Sequence, residues 1–411
     1  MCKIIAFFVE RFTKDDIGGV KSYLRWLVKA LNADGRKAIV VTQMTKDDST
    51  KEEIIDDIPI YRLNCGDFID RINLFEKMPM EDRESKAHEF FNKNDIENTA
   101  KKFADALADF IIKQKPQVIH FHNSFFITPY GLYFLKQKYD TIPQVPFYFW
   151  THSPPKQLTL PNGLEKPLFD ALRSFQNLFK GIFSVSQSVH DHLTKFGIKN
   201  KVIPLGIDKE FFTKNNERGQ STRNRLEISN GSFVVLYTGR IIKEKGLDLL
   251  PEIYQQLLKR GSEYLTIQFL IVGEGDYKNT LIQDVESRNL SHRFKFVNAK
   301  NNDELLDYYS CANCFILPTR REALGLSLLE AMSCSLPCIA TDLPSIKEII
   351  NHTINGIIIK QDDIPEFVRW LSGLFSNKVL RVSLSEAARK TIEEKFNAEN
   401  HYRYFTIKLL R

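Results

Sequence analysis

Residues 318–350 read PTRREALGLSLLEAMSCSLPCIATDLPSIKEII. The segment follows the apolar run 314–317, which has the length of a buried strand. A loop then carries Glu322. A helix is expected over about 325–333, and the next apolar run starts near Cys338. Strand, loop, helix and strand in succession form a crossover between parallel strands. The same alternation runs outward on both sides. Short apolar runs lie at 38–42, 118–121, 146–151, 181–185, 233–238, 267–272 and 294–297, with helical patterns such as 20–31, 98–112 and 247–259 between them. This order predicts an α/β fold of parallel sheets covered on both faces.

The alternation breaks once. Residues 213–230 are rich in Asn, Arg, Ser and Gly without an apolar period, which predicts a linker. A fresh strand–helix series starts at Phe233. With 411 residues in the chain, two Rossmann-like domains of similar size are expected, over 1–207 and 208–396. Such domains take ligands at the carboxyl ends of their strands, and two of them facing one another would form a deep cleft. The charged stretch 64–94 reads as an insertion or long loop of the first domain.

Composition narrows the class. Hydrophobic residues make up 43% of the chain and charged residues 26%, a soluble globular balance. The net charge of +6 comes from 57 basic and 51 acidic residues without long blocks of one sign, which argues against a dedicated nucleic-acid binder. It suits anionic substrates or an anionic membrane surface. The opening run 4–9 is cut by Glu10 and Arg11, too short for a signal peptide or a membrane span, so a cytoplasmic protein is expected. Cys311-x-x-Cys314 and Cys334-x-x-x-Cys338 admit a zinc reading, but their places in apolar runs and at a helix end favour small buried hydrophobes. No metal or other cofactor is expected.

Three segments carry chemistry. In the first, Gly325 allows close backbone approach, and the amides of Leu324, Gly325 and Leu326 would point at whatever sits above the helix start. Glu322 can accept hydrogen bonds from sugar hydroxyls, and Glu330 from a second diol such as a ribose. By spacing alone, Glu330 would more often be a solvated helix residue. In the second, YTGRIIKEKGLDLL at 237–250, Gly239 and Arg240 follow a strand and Lys245-Gly246 open the next helix, a setting for a diphosphate. In the third, Gly18-Gly19 open the first helix, where paired glycines admit a phosphate or sugar. Gly273-Glu274-Gly275 follows another strand. None of these is a full GxGxxG, which argues against a nicotinamide site.

Together these segments resemble the retaining glycosyltransferases of the GT-B fold, family 4 or group 1. EALGLSLLEAMSCSLPCIATD is similar to that family's E-x7-E signature, with Glu322 and Glu330 as its acids. VIPLGID, IVGEGDY, DELLDYYSCANCFILPT and FYFWTHSPP resemble its interdomain segment, its Gly-x-Gly turn, the helix and strand before the signature, and the strand that delivers a cleft histidine, here His152.

The resemblance implies a nucleotide-sugar donor, UDP- or GDP-linked, and a glycan or glycolipid acceptor. It implies metal-independent transfer of a hexose-type sugar with retention, in cell-surface polysaccharide or lipopolysaccharide synthesis. Arg240 and Lys245 would bind the diphosphate and Glu330 the ribose. Glu322, with the amides of Ala323, Leu324 and Gly325, would hold the donor sugar. Gly19 would approach the diphosphate, and His152 would lie near the reacting sugar. The segment 397–411 resembles the family's last helix, which packs back on the first domain.

Leu324, Asn313 and Leu205 depart from residues common at those positions and leave the donor open. Two rivals share the fold: an epimerase or phosphorylase, and a protein that binds a nucleotide sugar without turnover. The stretch 123–140, rich in Phe and Tyr with lysines at its end, could stack on sugars, form core, or make a peripheral membrane contact.

Overall fold

The computed structural model describes residues 4–409 apart from 14–18, 49, 67–69, 72, 73, 76, 77, 79–81, 83–85, 87–92, 126, 140, 141, 154–164 and 299–301. Gly18 and most of the 64–94 stretch lie outside the described residues. The chain forms two compact units. One contains the described residues 4–13, 20–204 and 405–409, and the other contains 205–404 and Gly19, the first residue of a helix that otherwise belongs to the first.

The first unit runs β1 (Ile4–Val9), α1 (Gly19–Ala33), β2 (Lys37–Gln43), β3 (Glu52–Ile55), β4 (Ile58–Leu63), α2 (Lys93–Gln114), β5 (Pro116–His122), α3 (Thr128–Lys138), β6 (Phe147–Thr151), α4 (Glu165–Ser174), β7 (Gly181–Ser184), α5 (Gln187–Lys195) and β8 (Lys201–Val202). The strands form a sheet in the order β3-β4-β2-β1-β5-β6-β7-β8, parallel except for the β3–β4 hairpin. Burial on both faces explains why the central strands read as unbroken apolar runs.

Side chains alternate between the faces along each strand. Phe8, Phe121 and Phe149 form one core with Phe103, Leu107 and Phe110 of α2 and with Phe125, Leu132 and Leu135 beside or on α3. Much of the aromatic stretch 123–140 is therefore core. The opposite face carries Phe7, His120, His122, Tyr148 and Trp150. Phe405 closes over it, with ring centroids 4.8 Å from His120 and 5.6 Å from Phe7.

The second unit runs α6 (Asn216–Arg225), β9 (Phe233–Thr238), α7 (Leu250–Leu258), β10 (Ile267–Val272), α8 (Lys278–Ser287), β11 (Phe294–Val297), α9 (Asn302–Cys311), β12 (Cys314–Leu317), α10 (Leu326–Ser333), β13 (Cys338–Thr341), α11 (Pro344–Lys347), β14 (Ile357–Ile359), α12 (Ile364–Ser376), α13 (Lys378–Lys395) and α14 (Ala398–Tyr404). Its six strands are parallel, in the order β11-β10-β9-β12-β13-β14.

Two expectations need correction. Residues 213–230 are not simply a linker, because they contain α6. The Asn215 side chain caps this helix by accepting from the Arg218 N–H at 2.9 Å. Polar contacts then substitute for the missing apolar period. Arg218 pairs with Asp307 at 2.5 Å, and Arg223 donates to the Cys311 carbonyl at 3.0 Å and to Asn313 Oδ1 at 2.8 Å.

The second correction concerns the crossings between units, expected at 207/208 and 396/397. They fall at 204/205 and 404/405. Ile207 N–H donates to the Phe396 carbonyl at 2.7 Å and Ala398 N–H to the Ile207 carbonyl at 3.0 Å. These bonds keep 205–207 and α14 in the second unit. Only the segment from Phe405 onward returns to the first.

Phe405→Ala opens a void over the aromatic face and is expected to destabilise the first unit by about 3–5 kcal/mol. Urea unfolding of the full chain checks this. An unshifted transition of that unit would show that the return segment does not hold it.

Candidate active site

β9 lies between β10 and β12; the crossover leaving β9 runs to β10 on one side, and the crossover leaving β12 runs to β13 on the other. The carboxyl ends of β9 and β12 therefore flank the topological switch point of the second sheet, where such sheets bind ligands. The β9 end delivers Gly239, Arg240 and, further on, Lys245. The β12 end delivers the loop 318–325. Lys245 Nζ reaches Glu322 Oε2 at 2.8 Å, and both side chains are only 15% exposed.

The two loops are built into each other. Gly246 has φ +68°, and a Cβ there would come 2.0 Å from the Pro318 carbonyl oxygen. The Arg320 N–H donates to the Glu244 carbonyl at 2.7 Å, and Thr319 Oγ1 donates to the same oxygen at 3.2 Å. Gly273, with φ +151°, lies flush on the β9 loop, since a Cβ there would come 1.9 Å from the Gly239 carbonyl oxygen. Ile241 N–H donates to the Glu274 carbonyl at 2.7 Å. The Gly-Glu-Gly turn thus supports the backbone that carries Arg240.

Lys245 does not precede an α-helix directly. It ends a 3-10 turn, Lys243–Lys245, and a second turn, Leu247–Leu249, intervenes before α7. Its charge is therefore delivered by a tight turn rather than by a helix N-terminus.

Burial works against the Glu322 carboxylate. The charge and hydrogen bond of Lys245, the Ala323 N–H and nearby Arg240 outweigh it and hold the carboxyl below its ordinary range. The Arg240 side chain is exposed and makes no hydrogen bond or ion pair among the described residues. Gly325, at φ +85°, caps α10. The N–H groups of Leu324, Gly325 and Leu326 take no hydrogen bond among the described residues. The Ala323 N–H, expected to face a ligand, donates to Glu322 Oε1 at 3.1 Å. That bond fixes the carboxylate that Lys245 grips.

Glu330 is not a solvated helix residue. It is buried on α10, and the Tyr309 hydroxyl donates to its Oε2 at 2.7 Å. Thr238 Oγ1 lies 2.6 Å from the same hydroxyl. Burial pushes the Glu330 carboxyl up to about 7, against the Tyr309 bond. Tyr309 is a residue that sequence reasoning missed, since the DELLDYYSC helix offers it only as one of two adjacent tyrosines.

In the first unit, His152 follows β6. Its Nε2 lies 2.8 Å from His122 Nδ1, and its backbone N–H donates to Asn123 Oδ1 at 2.7 Å. Asn123 sits just past β5 at φ +51° and also donates to Ser153 Oγ at 3.1 Å. His122 and Asn123 therefore orient His152. His122 is the last residue of β5, which pairs with β6. The Trp150 indole N–H donates to His120 Nδ1 at 3.0 Å, and burial pushes the His120 imidazole down to about 3, which leaves it neutral. Gly19 opens α1.

Cys65, Cys311, Cys314, Cys334 and Cys338 are buried free thiols. Among the described residues no group of three or more His, Cys, Asp or Glu is placed to hold a metal ion. Among them also, no helix is long and apolar enough to cross a membrane.

The model of the Glycosyltransferase Family 4 domain matches residues 17–211, and that of the glycosyl transferases group 1 matches residues 220–391. The chain belongs to the group 1 glycosyltransferases. Its fold is GT-B, two parallel-sheet Rossmann-like domains.

Among relatives of this glycosyltransferase, the capsular polysaccharide biosynthesis glycosyltransferase CapM of Staphylococcus aureus is 25% identical over 53% of the chain. The alpha-monoglucosyldiacylglycerol synthase of Acholeplasma laidlawii is 26% identical over 67%. The chain spans 58% and 71% of the lengths of these two curated relatives. Among solved structures, sucrose-phosphate synthase from Thermosynechococcus elongatus superposes with a TM-score of 0.77 at 19% identity, over 98% of this chain and 97% of that one. Anabaena HepE, in complex with UDP-glucose, gives 0.73 at 15% identity over 99% of each.

The raised carboxyl of Glu330 makes stability depend on pH. In the folded state it keeps its proton above the ordinary carboxyl value of 4.5, so its stabilising contribution is present below that pH. The contribution is lost as pH rises towards about 7. The glycosyltransferase should lose stability relative to its Glu330→Gln variant over that interval, with a constant difference above it. Urea unfolding of both proteins from pH 4 to 9 checks this, and parallel profiles would contradict the assigned shift.

Proposed function

We propose that this glycosyltransferase moves a hexose-type sugar from a UDP- or GDP-sugar to a glycan or glycolipid acceptor, with retention and without a metal. The observation that carries the reading is the buried Lys245–Glu322 pair at the switch point, with the Arg240 guanidinium exposed beside it. Arg240 and Lys245 would take the diphosphate. The α10 N-terminus would take a phosphate oxygen or sugar hydroxyl. Glu330 would accept from the ribose diol and Glu322 from the donor sugar. Gly18 and Gly19 would leave room near the diphosphate, and His152 would attend the reacting sugar.

In the reaction the bond between the anomeric carbon and the diphosphate oxygen breaks, and the acceptor hydroxyl oxygen bonds to that carbon. The leaving phosphate oxygen takes the hydroxyl proton, so attack comes from the leaving group's own face. Negative charge grows on the diphosphate, where two preset cations and backbone amides stabilise it. Glu322, already gripped by Lys245 and the Ala323 N–H, holds sugar hydroxyls rather than acting as a nucleophile.

The named relatives act in capsular polysaccharide and glucolipid synthesis. They support a cell-surface glycan or glycolipid as acceptor. For such an acceptor the enzyme would work in the cytoplasm or peripherally on the cytoplasmic membrane face.

Incubation with a panel of UDP-, GDP- and ADP-sugars should release one nucleoside diphosphate, undiminished by EDTA. An epimerised donor, or binding without products, would overturn the reading. Lys245→Ala and Glu322→Ala should each lower turnover roughly a hundredfold or more with the fold intact. Near-normal turnover in either would reject the site.

A further inference from the structure

We infer that Arg320 is a positioning residue that sets how Lys245 and Glu322 meet. The inference rests on the donor-site role proposed for that pair. Arg320 stands two residues before Glu322 on the loop after β12. Its Nη1 and Nη2 donate to Asp248 Oδ1 and Oδ2 at 2.7 and 2.8 Å, a two-pronged grip on one carboxylate. Nη1 also donates to the Lys243 carbonyl at 3.0 Å. Nε reaches Asp362 Oδ1 at 2.9 Å, and Nη2 lies 2.8 Å from the same oxygen.

A guanidinium has five N–H groups; four of them donate in these hydrogen bonds, and Nη2 also lies against Asp362 as an ion pair. Arg320 is thus committed to protein oxygens, which separates it from Arg240. What it joins is specific. Lys243 begins the turn that ends in Lys245, Asp248 lies just beyond Gly246, and Asp362 follows β14. One planar group thus locks the loop bearing Glu322 to the turn bearing Lys245. The Arg320 N–H bond to Glu244 and the close approach of Gly246 to Pro318 add backbone contacts to the same seam.

The reach of Lys245 to Glu322 depends on the spacing of these loops. A misplacement of about 1 Å in a reactive array can cost on the order of a hundredfold in rate. A lysine keeps the charge at 320 but cannot form the fork on Asp248.

The test uses the full chain with the active donor from the UDP-, GDP- and ADP-sugar panel. Arg320→Gln and Arg320→Lys should each lower kcat about tenfold or more while KM for the donor changes less. Crystal structures of the variants should show Lys245 Nζ more than 4 Å from Glu322. Asp248→Asn, nearly isosteric, tests the same fork from its other side and should give the same split. Adding Asp248→Asn to Arg320→Gln should cost little more than either change alone.

A purely structural role would lower the melting temperature and leave kcat of the folded variants intact, which would overturn the inference. A fall in kcat with the Lys245–Glu322 contact unchanged would overturn it too. The two failures can be told apart. If Lys245→Ala and Glu322→Ala are inactive while the Arg320 variants keep wild-type kcat, this inference alone fails. If Lys245→Ala and Glu322→Ala are active, the donor-site reading fails as well.

Discussion

A buried ion pair, Lys245 with Glu322, is the constraint around which the second unit is organised. Removing two charges from water is costly, and their attraction repays it only when the geometry is fixed and other bonds complete the set. Here the completing bonds are visible. Ala323 N–H holds the free carboxylate oxygen, and the Ser345 hydroxyl holds the Glu322 carbonyl at 2.8 Å. Gly246 lets its turn press against Pro318. The pair is therefore weak evidence of stability and better evidence of a preset site. Its partners lie on loops from neighbouring strands, so it can form only once β9 and β12 are adjacent. Function at this point depends on sheet order.

Much of the fold was legible. Alternating apolar runs and helical periods mark parallel strands because both sheet faces are covered, and those runs became the strands β5, β9, β10 and β12. The motif around Glu322 was legible because a strand end, a glycine and a helix start occur together there. Other features were hidden for physical reasons. Residues 216–225 show no apolar period, because Asn215 caps α6 locally while Arg218 and Arg223 hold it through polar contacts to residues 89 and 88 positions away. The turn at Lys245 looked like a helix start because Gly246 is followed by an apolar pattern, but α7 begins only at Leu250.

The site was legible residue by residue and less so as a network. Glu330 was visible as a carboxylate, whereas its burial and the Tyr309–Thr238 hydroxyls behind it come from α9 and β9 meeting in space. His152 was visible as a histidine after an aromatic strand. Its orientation by His122 and Asn123 needs the β5–β6 pairing, which aligns His122 with Trp150. Pairings of this kind carry no local sequence signal. The roles of Arg320 and Asp248 are of the same type, since 72 positions separate them.

The proposed donor site at the switch point of the second unit consists of Arg240, Lys245, Glu330 and the amides that open α10. A crystal structure with the nucleoside diphosphate released in the donor assay is its sharpest test. Phosphate oxygens are expected on Arg240 and Lys245 and the ribose diol on Glu330. A nucleotide bound elsewhere, or one at this point that leaves Arg240 and Glu330 without contact, would contradict it.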